Sequence, residues 1–258
     1  MFLGNLIKSK KVGYKNIPIK GISFDSRTVK KDYIFFAIQG KKTSGIKFIN
    51  KAIKRGAAAI VIEKKNIYIK STIPVLKVSN VRKKLAEICS NFYKKKPNNI
   101  IAVTGTNGKT SVADFFYQIL SLNKVNGASI GTLGLRSKFY NKKTTLTSID
   151  ALSLHKNLEI LKKKKVNNVV IEASSHGLDQ KRLDHLNINT GIFTNLSHDH
   201  LDYHKDIKSY LNAKMYLFRN LVNPKANIIT DEENKEFKII KKIIKKRNLK
   251  KNTIGKSY

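Results

Sequence analysis

The sequence has one cysteine, four prolines, two methionines and no tryptophan, and only 17 of its 258 residues are acidic. A lone cysteine cannot close an internal disulfide, which excludes a disulfide-stapled scaffold and suits a reducing cytosol. Cys89 shares a helical face with Leu85, Ile88 and Phe92, the setting of a buried, inert thiol. Long hydrophobic runs are also missing. The longest, such as residues 57–62, fall far short of the ~20 apolar residues that cross a bilayer. Residues 1–7 are mildly apolar but lack the cationic and small-residue flanks of a secretion signal. The expectation is a cytoplasmic globular protein with no membrane partner.

Arginine is scarce as well. Lys and Arg total 52 and give a net charge of +35, yet only seven of the 52 are Arg. Dense positive charge attracts polyphosphates without selectivity, whereas specific phosphate and base recognition leans on the arginine fork. The lysines are spread along the whole chain, and no aromatic platforms accompany them. No specific nucleic-acid partner is therefore expected, and a basic P-loop nucleic-acid-binding protein stands as the non-enzymatic alternative.

What is present reads as strands alternating with helices. Residues 21–25, 33–38, 57–62 and 74–78 are strand candidates, while 46–55 and 81–93 carry helical apolar spacing. Gly56 stands where a helix C-cap belongs. Residues 94–99 hold three lysines, Pro97 and two asparagines, which break both periodicities and mark a boundary. Beyond it, 100–104, 166–172, 190–194, 226–230 and 252–255 suggest short strands, and 150–161, 206–218 and 235–246 suggest helices. A helix after residue 108 places Val112, Phe115, Phe116, Ile119 and Leu120 on one face. The fold class is α/β, with domains at 1–97 and 98–258 and a mostly parallel sheet in the second.

The sharpest chemical feature follows the strand at 100–104: Gly105, Thr106, Asn107, Gly108, Lys109, Thr110 and Ser111, then a helix. Glycines let successive backbone N–H groups turn inward around an anion, and the helix N-terminus adds partial positive charge. Lys109 suits the β- and γ-phosphates of ATP, and the Thr110 hydroxyl suits Mg²⁺. The loop is a short variant, with Val103 where the general P-loop has glycine.

This loop resembles that of the Mur ligases and their folylpolyglutamate synthetase relatives. Three further stretches are similar to the branch acting on UDP-MurNAc-L-Ala-D-Glu. They are Phe24, Asp25, Ser26 and Arg27; the Glu172-Ala-Ser-Ser-His-Gly-Leu segment on to Gln180 and Arg182; and residues 193–204 followed by Ala213 and Lys214. They occur in family order and span nearly the whole chain. The resemblance implies a small N-terminal α/β substrate domain at 1–97 and a P-loop mononucleotide-binding α/β domain at 98–258.

The same resemblance implies an ATP-dependent amide ligase of peptidoglycan synthesis. It would phosphorylate the D-Glu carboxylate to an acyl phosphate for attack by the third amino acid, meso-diaminopimelate or lysine. Lys109, Glu172, His200 and Lys214 would be catalytic, and residues 105–111 would hold ATP. Two Mg²⁺ ions would be held by Thr110, Glu172, His200 and a carbamylated Lys214, and Asn107, His176 and Arg182 would orient the reactants. Phe24 and Ser26 would meet the uridine end, with Lys41, Lys42 and Thr43 nearby. Thr147, Ser148, Ser174, Gln180 and Arg182 would complete the substrate contacts, although Thr147 and Ser148 also suit an ordinary helix N-cap. Another Mur ligase or a folylpolyglutamate synthetase-like enzyme is the alternative within the same chemistry. Full members carry a further amino-acid-binding domain with a D-N-P-R motif, which these 258 residues lack. The expectation is an incomplete second domain, inactive alone, that a separate chain could complete.

Overall fold

The computed structural model describes residues 1–8, 12–40, 43–64, 69–144 and 146–255. The chain divides into Met1–Lys94 and Lys95–Tyr258. In the first unit, α1 (Leu3–Ile7) and α2 (Val12–Lys15) precede β1 (Gly21–Ser23) and β2 (Tyr33–Phe36). Then come α3 (Ile49–Lys54), β3 (Ala57–Glu63), β4 (Val75–Val78) and α4 (Val81–Phe92). The four strands form one parallel sheet in the order β1-β2-β3-β4. Alternation along the strands assigns the faces: Phe35, Ile60 and Ile62 pack with Ile49 and Ala52 of α3. On α4, Val81, Leu85, Ile88 and Cys89 are buried, and Asn91 Nδ2 donates to Leu6 O of α1 at 2.8 Å.

Local chemistry sets the element ends. Asn80 caps α4 by accepting from Lys83 N at 2.8 Å. Gly56 closes α3 with φ +93°, its N–H donating to Ile53 O at 2.8 Å. A Cβ there would meet Lys31 Cα at 2.9 Å. The helix suggested at 46–55 opens as a tight 3₁₀ turn, Gly45–Phe48, and becomes α-helical only from Ile49. The strand suggested at 21–25 stops at Ser23, because Asp25 folds the next residues into a turn by accepting from Arg27 N at 2.9 Å.

The second unit begins with β5 (Asn99–Thr104), α5 (Lys109–Leu122), β6 (Gly127–Gly131), β7 (Gly134–Ser137) and α6 (Ala151–Lys163). It continues with β8 (Asn168–Glu172), α7 (Ser175–Asp179), β9 (Ile188–Phe193), α8 (Leu201–His204) and α9 (Ile207–Tyr216). It ends with β10 (Val222–Asp231), α10 (Phe237–Arg247) and β11 (Lys250–Ile254). The sheet order is β11-β10-β9-β5-β8-β6-β7, parallel except for β7 against β6. β5 lies between β8 and β9 and is buried on both faces, which is why residues 100–104 form an unbroken buried run. On one face a continuous core runs from Leu154, Leu158 and Leu161 of α6 to Ile240 and Ile244 of α10. On the other, Val112, Ala113 and Phe116 of α5 cover Ile101, Val103 and Val170.

The second unit differs from the sequence reading at β6, β7 and α5. β6 and β7 went unread because Gly127, Ala128, Ser129, Ile130 and Gly131 lack the bulk that marks a strand, yet all five are buried. The apolar face read for α5 is narrower than its apolar residues: Phe115 is 60% and Ile119 58% exposed. Among the described residues no helix is long and apolar enough to cross a membrane. Replacing the fully buried Leu158 by Ala is expected to cost about 2–5 kcal/mol in urea unfolding. Phe115→Ala should stay within about 0.5 kcal/mol of the unaltered protein.

Candidate functional site

Strand register assembles the site. In β5 and β8, Val103 pairs with Glu172, so the loop leaving β5 and the carboxylate ending β8 emerge side by side. Thr104 pairs with Phe193 of β9, which brings Thr194 and Asn195 against the loop from the other flank. Ile130 of β6 pairs with Ile171, which delivers Gly131 and Thr132 to the same edge. Four strand carboxyl ends therefore meet where open α/β sheets place ligands.

The loop is tied to the segment that follows β9. Asn195 O accepts from Thr106 N at 2.9 Å, and Asn195 Oδ1 accepts from Asn107 N at 3.0 Å. The Thr194 hydroxyl donates to Asn107 O at 2.6 Å. Gly105 is at φ +151°, where a Cβ would collide with the Thr194 hydroxyl, and Gly108 is at φ +82°, opening α5. Lys109 Nζ folds back onto Gly105 O at 3.0 Å and Thr106 O at 2.6 Å. Burial pulls Lys109 below the ordinary lysine range, while the Glu172 and Asp199 carboxylates hold it up. Ser111 is an exposed residue of the first turn of α5.

Glu172 is 1% exposed, and both of its oxygens accept hydrogen bonds. Its Oε2 accepts from Thr110 Oγ1 at 2.8 Å and from Thr132 Oγ1 at 3.2 Å, and its Oε1 accepts from Thr132 N at 2.8 Å. The carboxylate lies against Gly131, where any Cβ would strike it. Thr132 is the residue that sequence reading missed. Its signal, a Gly-Thr pair ending an apolar stretch, becomes visible only once β6 is known to lie beside β8. Thr132 Oγ1 also lies 3.1 Å from Thr147 Oγ1, and with the Thr132 proton given to Glu172 it is the Thr147 hydroxyl that donates.

Ser148 ties the next group together rather than capping a helix. Its Oγ donates to Glu172 O at 2.7 Å and accepts from Ser174 N at 2.9 Å. The N-cap of α6 is Asp150, accepting from Ser153 N at 2.9 Å. Ser174 caps α7 by accepting from Gly177 N at 3.1 Å. Arg182 donates to Ser148 O and, at 2.8 Å, to Gln180 Oε1. In the other unit Phe24 is exposed and Ser26 buried, flanking Asp25, which binds Arg27 at 2.7 Å and is held below the usual carboxylate range by that guanidinium. Thr43 is exposed and its carbonyl accepts from Gly40 N at 2.9 Å. Lys41 and Lys42 lie outside the described residues.

His200 is the N-cap of α8, and the chain turns at Lys205 (φ +68°) before α9, which carries Lys214. His200 opens α8 in the left-handed region (φ +54°), with its ring 4.9 Å from His176 and 6.2 Å from Tyr210. Lys214 is 1% exposed, and its Nζ donates to Gly105 O at 2.5 Å. Lys109 and Lys214 thus share one carbonyl. Burial, and then the nearby Lys109 cation, pull Lys214 down to about 7, with Asp199 opposing. Among the described residues no three His, Cys, Asp or Glu side chains gather into a metal-holding cluster.

The depressed Lys214 has a signature in stability. Between about pH 7 and the free-lysine value of 10.5, the unfolded chain binds the proton that the folded one has lost, so stability rises with pH. In CO₂-depleted buffer, urea unfolding from pH 7 to 9 should show the unaltered protein gaining up to about 1.4 kcal/mol per pH unit over Lys214→Met.

The description "Mur ligase family, catalytic domain" matches residues 18–93, and "Mur ligase middle domain" matches residues 103–258. The UDP-N-acetylmuramoyl-L-alanyl-D-glutamate--2,6-diaminopimelate ligase of Rickettsia prowazekii is 41% identical over 247 residues, covering 94% of this chain and 51% of the relative. The Brucella melitensis protein of the same name is 44% identical over 220 residues, covering 84% and 45%. A solved structure of a ligase of that name superposes with a TM-score of 0.86 at 27% identity, covering all of this chain and 53% of its own. The chain spans about half the length of the curated relatives it matches. With the two domain matches following one another in order and the middle-domain match alone covering more than half of the sequence, the chain belongs to the Mur ligase family.

Proposed function

We propose that this chain carries the nucleotide-handling and UDP-sugar-handling part of an ATP-dependent amide ligase of peptidoglycan synthesis. The ligase joins the third amino acid of the stem to UDP-MurNAc-L-Ala-D-Glu. The names of the relatives favour 2,6-diaminopimelate over lysine as that amino acid. The observation that carries the reading is the buried Glu172 carboxylate, bonded to Thr110 at the first turn of α5 and flanked by the open loop.

The residues present fit ATP and magnesium. Three donors occupy Glu172, which leaves one of the roughly four acceptor positions of a carboxylate free, and Thr110 Oγ1 keeps its lone pairs. Hard oxygen donors of this kind suit Mg²⁺, which retains water and phosphate ligands beside one or two carboxylates. Bound there, the metal would supply charge neutralisation to the transferring phosphoryl group. Residues 105–111 are assigned to ATP, with the amides of Gly108, Lys109 and Thr110 facing the phosphates, since those of Thr106 and Asn107 are already given to Asn195. Lys109, now resting on neutral carbonyls, has a stronger partner in a phosphate oxygen. Phe24, Ser26 and Thr43 are assigned to the UDP-sugar, and Thr147, Ser148, Ser174, Gln180 and Arg182 to the rest of the substrate. Arg182 positions by its fork, without proton transfer. His200 and Lys214 are assigned to a second metal position.

For Lys214 that role requires an anion. Its neutral amine forms a bond to the carbon of CO₂ and releases one proton, leaving a carbamate. A group lowered to about 7 offers the neutral amine at ordinary pH, and its supply rises as pH climbs through that value. With ¹³C-bicarbonate, a carbamate resonance is expected above pH 7 and absent in Lys214→Met. Its absence from the unaltered chain would remove the second metal position.

Because the chain spans about half of its relatives, full turnover is expected only with the remaining half, in the same polypeptide or as a separate chain. The reading places the protein in the cytoplasm. Calorimetry tests it: UDP-MurNAc-L-Ala-D-Glu should bind, and UDP-MurNAc-L-Ala should bind at least tenfold more weakly. Equal affinity for the two would contradict a site built for the D-Glu end.

A further inference from the structure

Tyr210 precedes Lys214 by one helical turn on α9, so the two side chains share a face. Both are 1% exposed and both reach the phosphate loop. Lys214 Nζ donates to Gly105 O, and Tyr210 Oη lies 3.2 Å from Thr106 Oγ1. Hydrogen-bond accounting gives the direction of the second contact. Thr106 Oγ1 accepts from Ser197 N at 3.0 Å and lies 3.3 Å from Ser197 O. A hydroxyl has one proton. Given to Ser197 O, that proton leaves an acceptor position on Thr106 for the tyrosine O–H to fill, and every group in the network is satisfied.

The ring does a second job. It lies 4.2 Å from Lys214 Nζ, 5.3 Å from the His204 ring and 6.2 Å from that of His200. One rigid side chain therefore touches the loop, the buried lysine and the histidine pair. A loop that must present its amides to phosphate needs its own polar groups fixed from behind. Consecutive loop residues gripped from successive turns of one helix meet that need.

We propose that Tyr210 is a positioning residue, whose hydroxyl sets Thr106 and with it the phosphate loop, and whose ring walls Lys214 against Gly105. The proposal rests on the nucleotide-site reading above. If Tyr210 were packing alone, removing its hydroxyl would leave nucleotide binding untouched.

Tyr210→Phe keeps the ring and deletes the hydroxyl. Its affinity for a non-hydrolysable ATP analogue with Mg²⁺, by calorimetry, is expected to fall about three- to tenfold, the worth of one net hydrogen bond. The Lys214 carbamate resonance under ¹³C-bicarbonate should persist. Thr106→Val should weaken the analogue similarly, and the double variant should lose no more than the larger single loss. Tyr210→Leu, which removes the ring, should also lose the carbamate resonance. Unchanged analogue affinity in Tyr210→Phe, or additive losses in the double variant, would overturn the proposal while leaving the nucleotide site standing. An unaltered chain that binds no analogue would remove both.

Discussion

The arrangement depends on one buried negative charge. Glu172 is almost fully withdrawn from water at the end of β8, where an unsupported carboxylate costs several kcal/mol. Thr110 at the start of α5 and the hydroxyl and amide of Thr132 after β6 meet that demand, from two separate parts of the chain's path through the sheet. The Val103–Glu172 pairing sets where the carboxylate stands, and the bare Cα of Gly131 leaves it room. A one-residue slip of β8 against β5 would turn the carboxylate to the other face and separate it from Thr110 and Thr132.

Around that anion stand two cations of unequal character. Lys109 is half-buried and feels the Glu172 and Asp199 carboxylates, while Lys214 is buried and the Lys109 cation acts on it more strongly than the Asp199 carboxylate. Both lean on the Gly105 carbonyl, an arrangement that disfavours two full charges. The conflict resolves if phosphate draws Lys109 away and Lys214 surrenders its proton. The loop geometry and the depressed lysine are thus two sides of one electrostatic problem, and Tyr210 is placed where both are handled.

Much of this was legible because it is local. The strand–loop–helix at 99–122 announces itself through glycines, a lysine and helical spacing, and Gly56 through its place after a helix. What stayed hidden depends on partners distant in sequence. β6 reads as a small-residue stretch because its flanks are filled by Leu120 over Gly127 and by Glu172 over Gly131. Thr132 acquires meaning only from a carboxylate forty residues away. Ser148 looks like a helix cap by position, yet Asp150 takes that role and frees it to bind β8. Lys214 is one of many lysines and stands out only through the resemblance of residues 193–214, while its partner Gly105 lies 109 residues away.

The claim that Glu172 and Thr110 form the magnesium and phosphate edge is tested most directly by the increment that Mg²⁺ adds to nucleotide affinity. Calorimetry of the non-hydrolysable ATP analogue with and without Mg²⁺ should show an increment of at least tenfold in the unaltered chain. Glu172→Gln, which keeps the shape and removes the charge, should retain the metal-free affinity and lose the increment. An equal increment in both proteins would contradict the account.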